Sequence, residues 1–195
     1  MLERDRMLRG EPYNTRDEVL LATAQRARTL IADFTAVPSA DVARRRNILA
    51  QLLGGAGDGV WIEAPFFCEY GNNIYIGTHS FVNVNCVFLD AAEIRIGENA
   101  LIGPAVQLLT VSHPLRARDR IIAVENRGPE GAPYVTHASP ISIGDNVWIG
   151  AGTIVLPGVT VGDNVTIGAG SIVTSDIPAD SLAFGQPCRV QRSLL

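Results

Sequence analysis

The sequence predicts a mainly β protein: a parallel β-helix preceded by an α-helical segment and interrupted by one long loop. Three observations carry this reading. Apolar residues recur at helical spacing only before about residue 57. From there to residue 186 Gly, Val, Ile, Asn and Asp dominate, and an aliphatic residue returns at every sixth position. Residues 114–140 fall out of that register. The expected divisions are residues 1–57 for the helical segment, 58–186 for the coil and 187–195 for a C-terminal tail.

In the first division, Thr15-Arg16-Asp17-Glu18 fits a capping box, in which a hydroxyl and a carboxylate satisfy the first amides of a helix. Val19, Leu20, Thr23, Ala27, Leu30, Ile31 and Phe34 then recur at helical spacing until Val37-Pro38. Ser39 is the expected cap of a second helix, with Val42, Ile48, Leu49, Leu52 and Leu53 on its apolar face and Gly54-Gly55 at its end. Arg44, Arg45 and Arg46 read as a solvated face of that helix.

The coil is written in hexads. Residues 143–178 divide into IGDNVW, IGAGTI, VLPGVT, VGDNVT, IGAGSI and VTSDIP. Position one is Ile or Val in all six, position two is Gly in four, and position five is Val, Thr, Ser or Ile. Upstream, IGTHSF, VNVNCV and FLDAAE (76–93) keep the register; Ile94-Arg95 are inserted; IGENAL, IGPAVQ and LLTVSH (96–113) resume it. A period of six fits a triangular coil in which each hexad makes one side. Position one points inward, small position-five residues fill the interior, and like residues of successive turns stack over a continuous core. Gly at position two, and Asp-Asn at 145–146 and 163–164, are expected at corners where unusual backbone angles arise. Spacing leaves the hand of the coil open. Residues 114–140 are polar and contain Pro and Gly, as expected of a loop extruded at a corner.

Composition narrows the function classes. The 195 residues are 47% hydrophobic and 18% charged, a globular balance. A net charge of −4 with no basic stripe argues against nucleic acid as a partner, and no apolar run is long enough for a membrane span. The N-terminus lacks the apolar core of a secretory signal, so the expected compartment is the cytoplasm. Cys68, Cys86 and Cys188 are too widely spaced for a disulfide framework or zinc knuckle and read as buried thiols. His79, His113 and His137 form no closely spaced metal pair, and no metal is expected.

Several segments together resemble the maltose and galactoside O-acetyltransferases of the hexapeptide-repeat superfamily. They are GEPY (10–13), PFFCEYGNNIYIG (65–77), FVNVNCVFLD (81–90), IRIGENALIGP (94–104), TVSHP (110–114), NVWIGAGTIVLPGVTVGD (146–163) and VTSDIPADSLAFGQPCRV (173–190). The resemblance implies a left-handed coil, a homotrimer with clefts between neighbouring coils, and acetyl-CoA as co-substrate. It implies His113 as general base, and Asn83, Asp17 and Asp90 as acceptor-binding residues. It also implies that Ala151 offers its N–H to the thioester carbonyl, Ala169, Thr174 and Ser175 line the pantetheine path, and Arg189 and Arg192 pair with the coenzyme phosphates.

These types suit the chemistry. Acetyl transfer from a thioester to a hydroxyl needs a base, an oxyanion donor and alignment. An imidazole is basic near neutral pH, a carboxamide donates and accepts, and guanidinium matches phosphate. No cysteine adjoins His113, so direct attack is expected rather than an acetyl-enzyme. The chain departs from the family where its loop is longer, and where Glu69 and Ala24 replace a small hydroxyl residue and an arginine of galactoside-specific relatives. The expected acceptor is therefore a maltose- or glucose-like sugar. Alternatives are another acceptor (an antibiotic hydroxyl, serine or an amino-sugar) or a non-enzymatic β-helix scaffold.

Overall fold

A computed structural model describes residues 1–128 and 131–195. Three helices precede the coil: α1 (Glu3–Leu8), α2 (Glu18–Ala36) and α3 (Val42–Leu52). Both long helices are capped two residues later than the sequence predicts. Asp17, not Thr15, caps α2, accepting from Val19 N and Leu20 N at 3.1 and 3.2 Å. Asp41, not Ser39, caps α3, accepting from Arg44 N at 3.2 Å. A carboxylate serves a helix N-terminus both as hydrogen-bond acceptor and as counter-charge to the dipole.

The coil is a parallel solenoid with three sheets as its faces. The first runs Gly55–Ala56, Ile74–Ile76, Ile94–Ile96, Ile141–Ile143, Thr160–Val161. The second runs Trp61–Ile62, Phe81–Val82, Leu101–Ile102, Trp148–Ile149, Thr166–Ile167, Ser181–Gly185, Cys188–Ser193. The third runs Phe66–Cys68, Cys86–Leu89, Gln107–Leu109, Ile154–Val155, Ile172–Val173. Positions one and five are the buried ones: Ile143, Ile149, Val155, Val161, Ile167 and Val173 stack inside with Val147, Thr153, Val159, Val165 and Ser171. The coil begins at Gly55, slightly before the expected boundary. Residues 188–193 are not a tail but the last strand, which returns antiparallel on Ser181–Gly185 and covers the end of the second face. Cys68, Cys86 and Cys188 are buried free thiols.

One expectation about the corners is corrected. The left-handed backbone falls at position four, on His79, Asn85, Asn99, Ala105, Asn146 and Asn164 and on Gly152, Gly158 and Gly170. Position-two glycine serves close approach instead: a Cβ on Gly150 would run into the backbone of Ala169 in the next turn. The Asp-Asn pairs tie turns together. Asp163 Oδ1 accepts from Asp145 N at 2.8 Å, and Asn146 Nδ2 donates to Asn164 Oδ1 at 3.0 Å.

The corner from the third face to the first absorbs what the hexad cannot. Two extra residues per turn sit there in the first two turns, and the long loop leaves from it in the third. Asp90 braces this edge from full burial: Oδ1 accepts from Glu69 N (3.0 Å) and Tyr70 N (2.9 Å), and Oδ2 from Asn73 N (3.3 Å). Above it, buried Thr110 Oγ1 donates to Leu89 O (2.6 Å) and accepts from Ala92 N (2.9 Å). Met7, Tyr13, Leu20 and Ala24 pack on the same edge against Tyr70, Ala91, Ala92 and Ala138, forming a second core. Burial pushes the Glu69 carboxyl up to about 7; the Asp90 carboxylate adds to the rise and Arg28 opposes it.

The expected arginine face holds for two of its three residues. Arg44 and Arg46 are exposed, but Arg45 is buried at 5% exposure. Its guanidinium lies 4.2 Å from the Phe34 ring centroid and 5.4 Å from that of Trp61, and donates to Ile62 O at 2.7 Å. It thereby joins α2, α3 and the first turn of the coil. Two consequences are measurable by chemical denaturation. Arg45→Ala is expected to lower the unfolding free energy by about 2–4 kcal/mol, through lost charged hydrogen bonds and cation–π contact. Folded Glu69 holds its proton to higher pH than the unfolded chain. Its stabilising contribution is therefore complete below pH 4.5 and lost as pH rises through about 7. Glu69→Gln is expected to remove that decline, which is worth at most about 3 kcal/mol.

Candidate active site

Two edges of the prism carry the residues singled out from sequence. Edge one is the third-to-first corner. There Val111–Ser112 pairs antiparallel with His137–Ala138, so the loop leaves and re-enters the coil through a short ladder. Between these strands the loop holds a helical turn, α4 (Ala117–Arg120), a 3₁₀ turn at Val124–Asn126 and a bridge between Ile121 and Tyr134. Its described residues thus carry local structure of their own.

His113 stands where the ladder ends. Its Nδ1 lies 2.8 Å from the carbonyl oxygen of Val135, two residues before the returning strand His137–Ala138. A carbonyl only accepts, so Nδ1 carries a proton, and in the neutral ring Nε2 is the nitrogen left with a lone pair. Tyr134 meets the imidazole edge-on, ring centroids 6.4 Å apart. The side chain is exposed, so Nε2 has an open approach. Thr174 and Ser175 follow the strand Ile172–Val173, exposed on the same edge two turns later.

Edge two is the second-to-third corner. A groove of about 580 Å³ runs along it, walled by Leu101, Pro104, Trp148 and Leu182. Asn83, Ala151 and Ala169 all line it. Asn83 Oδ1 accepts from Val84 N at 2.8 Å, leaving its Nδ2 to donate into the groove. The N–H groups of Ala151 and Ala169 donate to no acceptor among the described residues, whereas their neighbours Gly150 and Gly168 donate to Ile167 O and Ala183 O at 2.8 and 2.9 Å. Free amides over apolar walls fit a pantetheine arm, whose amides need partners and whose methylenes need cover. Arg189 and Arg192 lie on the exposed last strand; Arg189 Nη1 donates to Cys188 O at 2.8 Å.

Two expected acceptor ligands have other occupations. Asp90 is wholly buried and its carboxylate is taken by three backbone amides, so it faces no ligand; this corrects the expectation that it binds the acceptor. Asp17 is half-buried with Oδ1 spent on the α2 cap. The parts that sequence reasoning missed are backbone and bracing groups: the Val135 carbonyl, and Thr110 beneath the strand that bears His113. The motif TVSHP contains Thr110, but its type alone does not reveal that it bonds the turn below. His79 is a corner residue at φ 59°. Among the described residues no group of three or more His, Cys, Asp or Glu side chains is placed to hold a metal ion, and no helix is long and apolar enough to cross a membrane.

Two family models match this chain: the maltose acetyltransferase hexapeptide capping motif over residues 6–57, and the bacterial transferase hexapeptide (six repeats) over residues 140–175. The chain is 37% identical over 190 residues to galactoside O-acetyltransferase of Escherichia coli K12, covering 97% of this chain and 88% of that one. Among solved structures it is similar to a maltose O-acetyltransferase from Clostridium difficile 630 (TM-score 0.91, 40% identity, covering 100% of this chain and 98% of that one). It is also similar to a galactoside acetyltransferase in complex with coenzyme A (TM-score 0.89, 36% identity, covering 100% of this chain and 92% of that one). A helical cap, a hexad coil and a groove with free amides, matched along almost the whole length, make this chain a member of the maltose and galactoside O-acetyltransferase family and an acetyl-CoA-dependent acyltransferase.

Proposed function

We propose that the enzyme acetylates a hydroxyl of a maltose- or glucose-like sugar by direct attack on acetyl-CoA, with His113 as general base. The observation that carries this reading is the bond from His113 Nδ1–H to the Val135 carbonyl, which in the neutral ring leaves Nε2 as the free nitrogen. Nε2 takes the acceptor's hydroxyl proton as its oxygen attacks the thioester carbonyl carbon. The Ala151 N–H receives the charge that develops on the carbonyl oxygen. The carbon–sulfur bond then breaks, and the proton on Nε2 passes to the leaving thiolate, so the base is regenerated. Ala169 N–H, Thr174 and Ser175 hold the pantetheine amides, and Arg189 and Arg192 meet the phosphates. Asn83 Nδ2 orients the acceptor. Asp17 caps α2 through Oδ1, while Asn14 ties the N-terminal segment to the loop at Ala132 N.

His113 and the groove occupy different edges of one prism, so a complete site needs edge one of one copy against edge two of another. That arrangement, in a cytoplasmic homotrimer with three clefts, accounts for the apolar side chains left on the outer faces: Phe67, Leu101 and Trp148 are 40%, 46% and 52% exposed in the single chain. Sedimentation is expected to give three times the 20.9 kDa chain mass; a monomer active at the same concentration would contradict the shared site. The chemistry is tested by thiol release from acetyl-CoA across sugars and other acceptors. His113→Ala is expected to lower kcat about 10²–10⁴-fold with the trimer intact. A variant as fast as wild type would remove His113 from the mechanism.

A further inference from the structure

The loop and the N-terminal segment enclose a second concavity that acetyl transfer, as described, leaves unused. It holds about 290 Å³ and is lined by Glu3, Tyr13 and Asn14 on one side and by Asn126, Arg127 and Val135 on the other. Its rim is built. Asn14 N donates to Glu3 Oε2 at 2.6 Å, and Asn14 Oδ1 accepts from Ala132 N at 3.0 Å, across 118 residues of sequence. Arg127 Nε donates to Ile122 O at 2.8 Å and stiffens the loop wall. The Asn14 side-chain NH₂, the Asn126 carboxamide and the Tyr13 hydroxyl make no hydrogen bond among the described residues.

The pocket touches the reaction site at Val135. That residue lines the pocket and gives its carbonyl to His113 Nδ1. Tyr13 also lines the pocket, and burial together with the neighbouring Glu69 carboxylate raises the pKa of its hydroxyl.

We infer that this pocket is a saccharide subsite for the sugar unit next to the one acetylated, so that the acceptor is a di- or oligosaccharide rather than a lone monosaccharide. The inference rests on the reading of a sugar hydroxyl as acceptor. Its chemistry follows from the lining. A carboxylate that accepts, a guanidinium that donates and two carboxamides that do both match closely spaced hydroxyls. An apolar ligand would strip water from these groups and return nothing. A phosphate would face Glu3. The volume lies near the lower bound of about 300 Å³ for small-molecule pockets, which is room for one ring rather than a chain.

The test compares kcat/KM for glucose and maltose in wild type, Asn126→Ala, and Ile122→Trp, which fills the pocket from its wall. Wild type is expected to favour maltose. The maltose-to-glucose ratio is expected to fall about three- to tenfold in Asn126→Ala, the loss of a hydrogen bond or two, and to fall in Ile122→Trp as well. A wild type that does not favour maltose, or a ratio that neither variant moves, overturns the subsite. If His113→Ala still abolishes turnover in that case, the general-base reading stands without it. Turnover of neither sugar by wild type overturns both.

Discussion

Every turn of this coil must bring an aliphatic side chain back to the same inward point, stacked on the one below. That constraint governs the rest of the molecule. It sets the period at six, restricts position five to residues small enough for the interior, and demands a left-handed residue at position four of nearly every hexad. It also decides where irregularity is tolerated. Extra residues cannot enter a face without breaking the stack, so they leave at a corner, and here they leave at one corner in three successive turns. The first helix, the start of α2, the Asp90 brace and the loop with His113 therefore share one edge.

The same rule exposes the groove. At the second-to-third corner the hexad IGAG recurs in register, and position three of each copy, Ala151 and Ala169, has its N–H turned away from the ladder. Small residues keep the approach open, and the apolar walls come from outward positions of the second face. The proposed catalytic groups are thus largely backbone held by a regular scaffold, with one imidazole held in turn by a backbone carbonyl. Preorganised dipoles of this kind cost no reorganisation during the reaction.

The period, the core positions and the loop's departure could be read directly because each follows from side-chain type at a fixed spacing. The helix caps were displaced because Thr15 and Ser39 have the right hydroxyls, while Asp17 and Asp41 add charge at the helix ends. Arg45 looked like its neighbours Arg44 and Arg46; only the packing of Phe34 and Trp61 around it makes it a core residue. Asp90 looked like a ligand because nothing local to it reveals that residues 69–73, one turn below, point three amides at it. His113 stood out through its motif as the expected base, whereas its partner Val135 did not, since any residue supplies a carbonyl and the pairing spans 22 residues of a loop.

The central claim is that the Val135 carbonyl fixes the proton on His113 Nδ1 and leaves Nε2 as the base. Nitrogen-15 NMR of the histidine-labelled protein, with His113→Ala used to assign the signal, tests it directly. At a pH where the ring is neutral, His113 is expected to show a protonated, pyrrole-like Nδ1 and an unprotonated, pyridine-like Nε2. The opposite tautomer, or rapid averaging of the two, would contradict it and return the choice of base to the other groups on that edge.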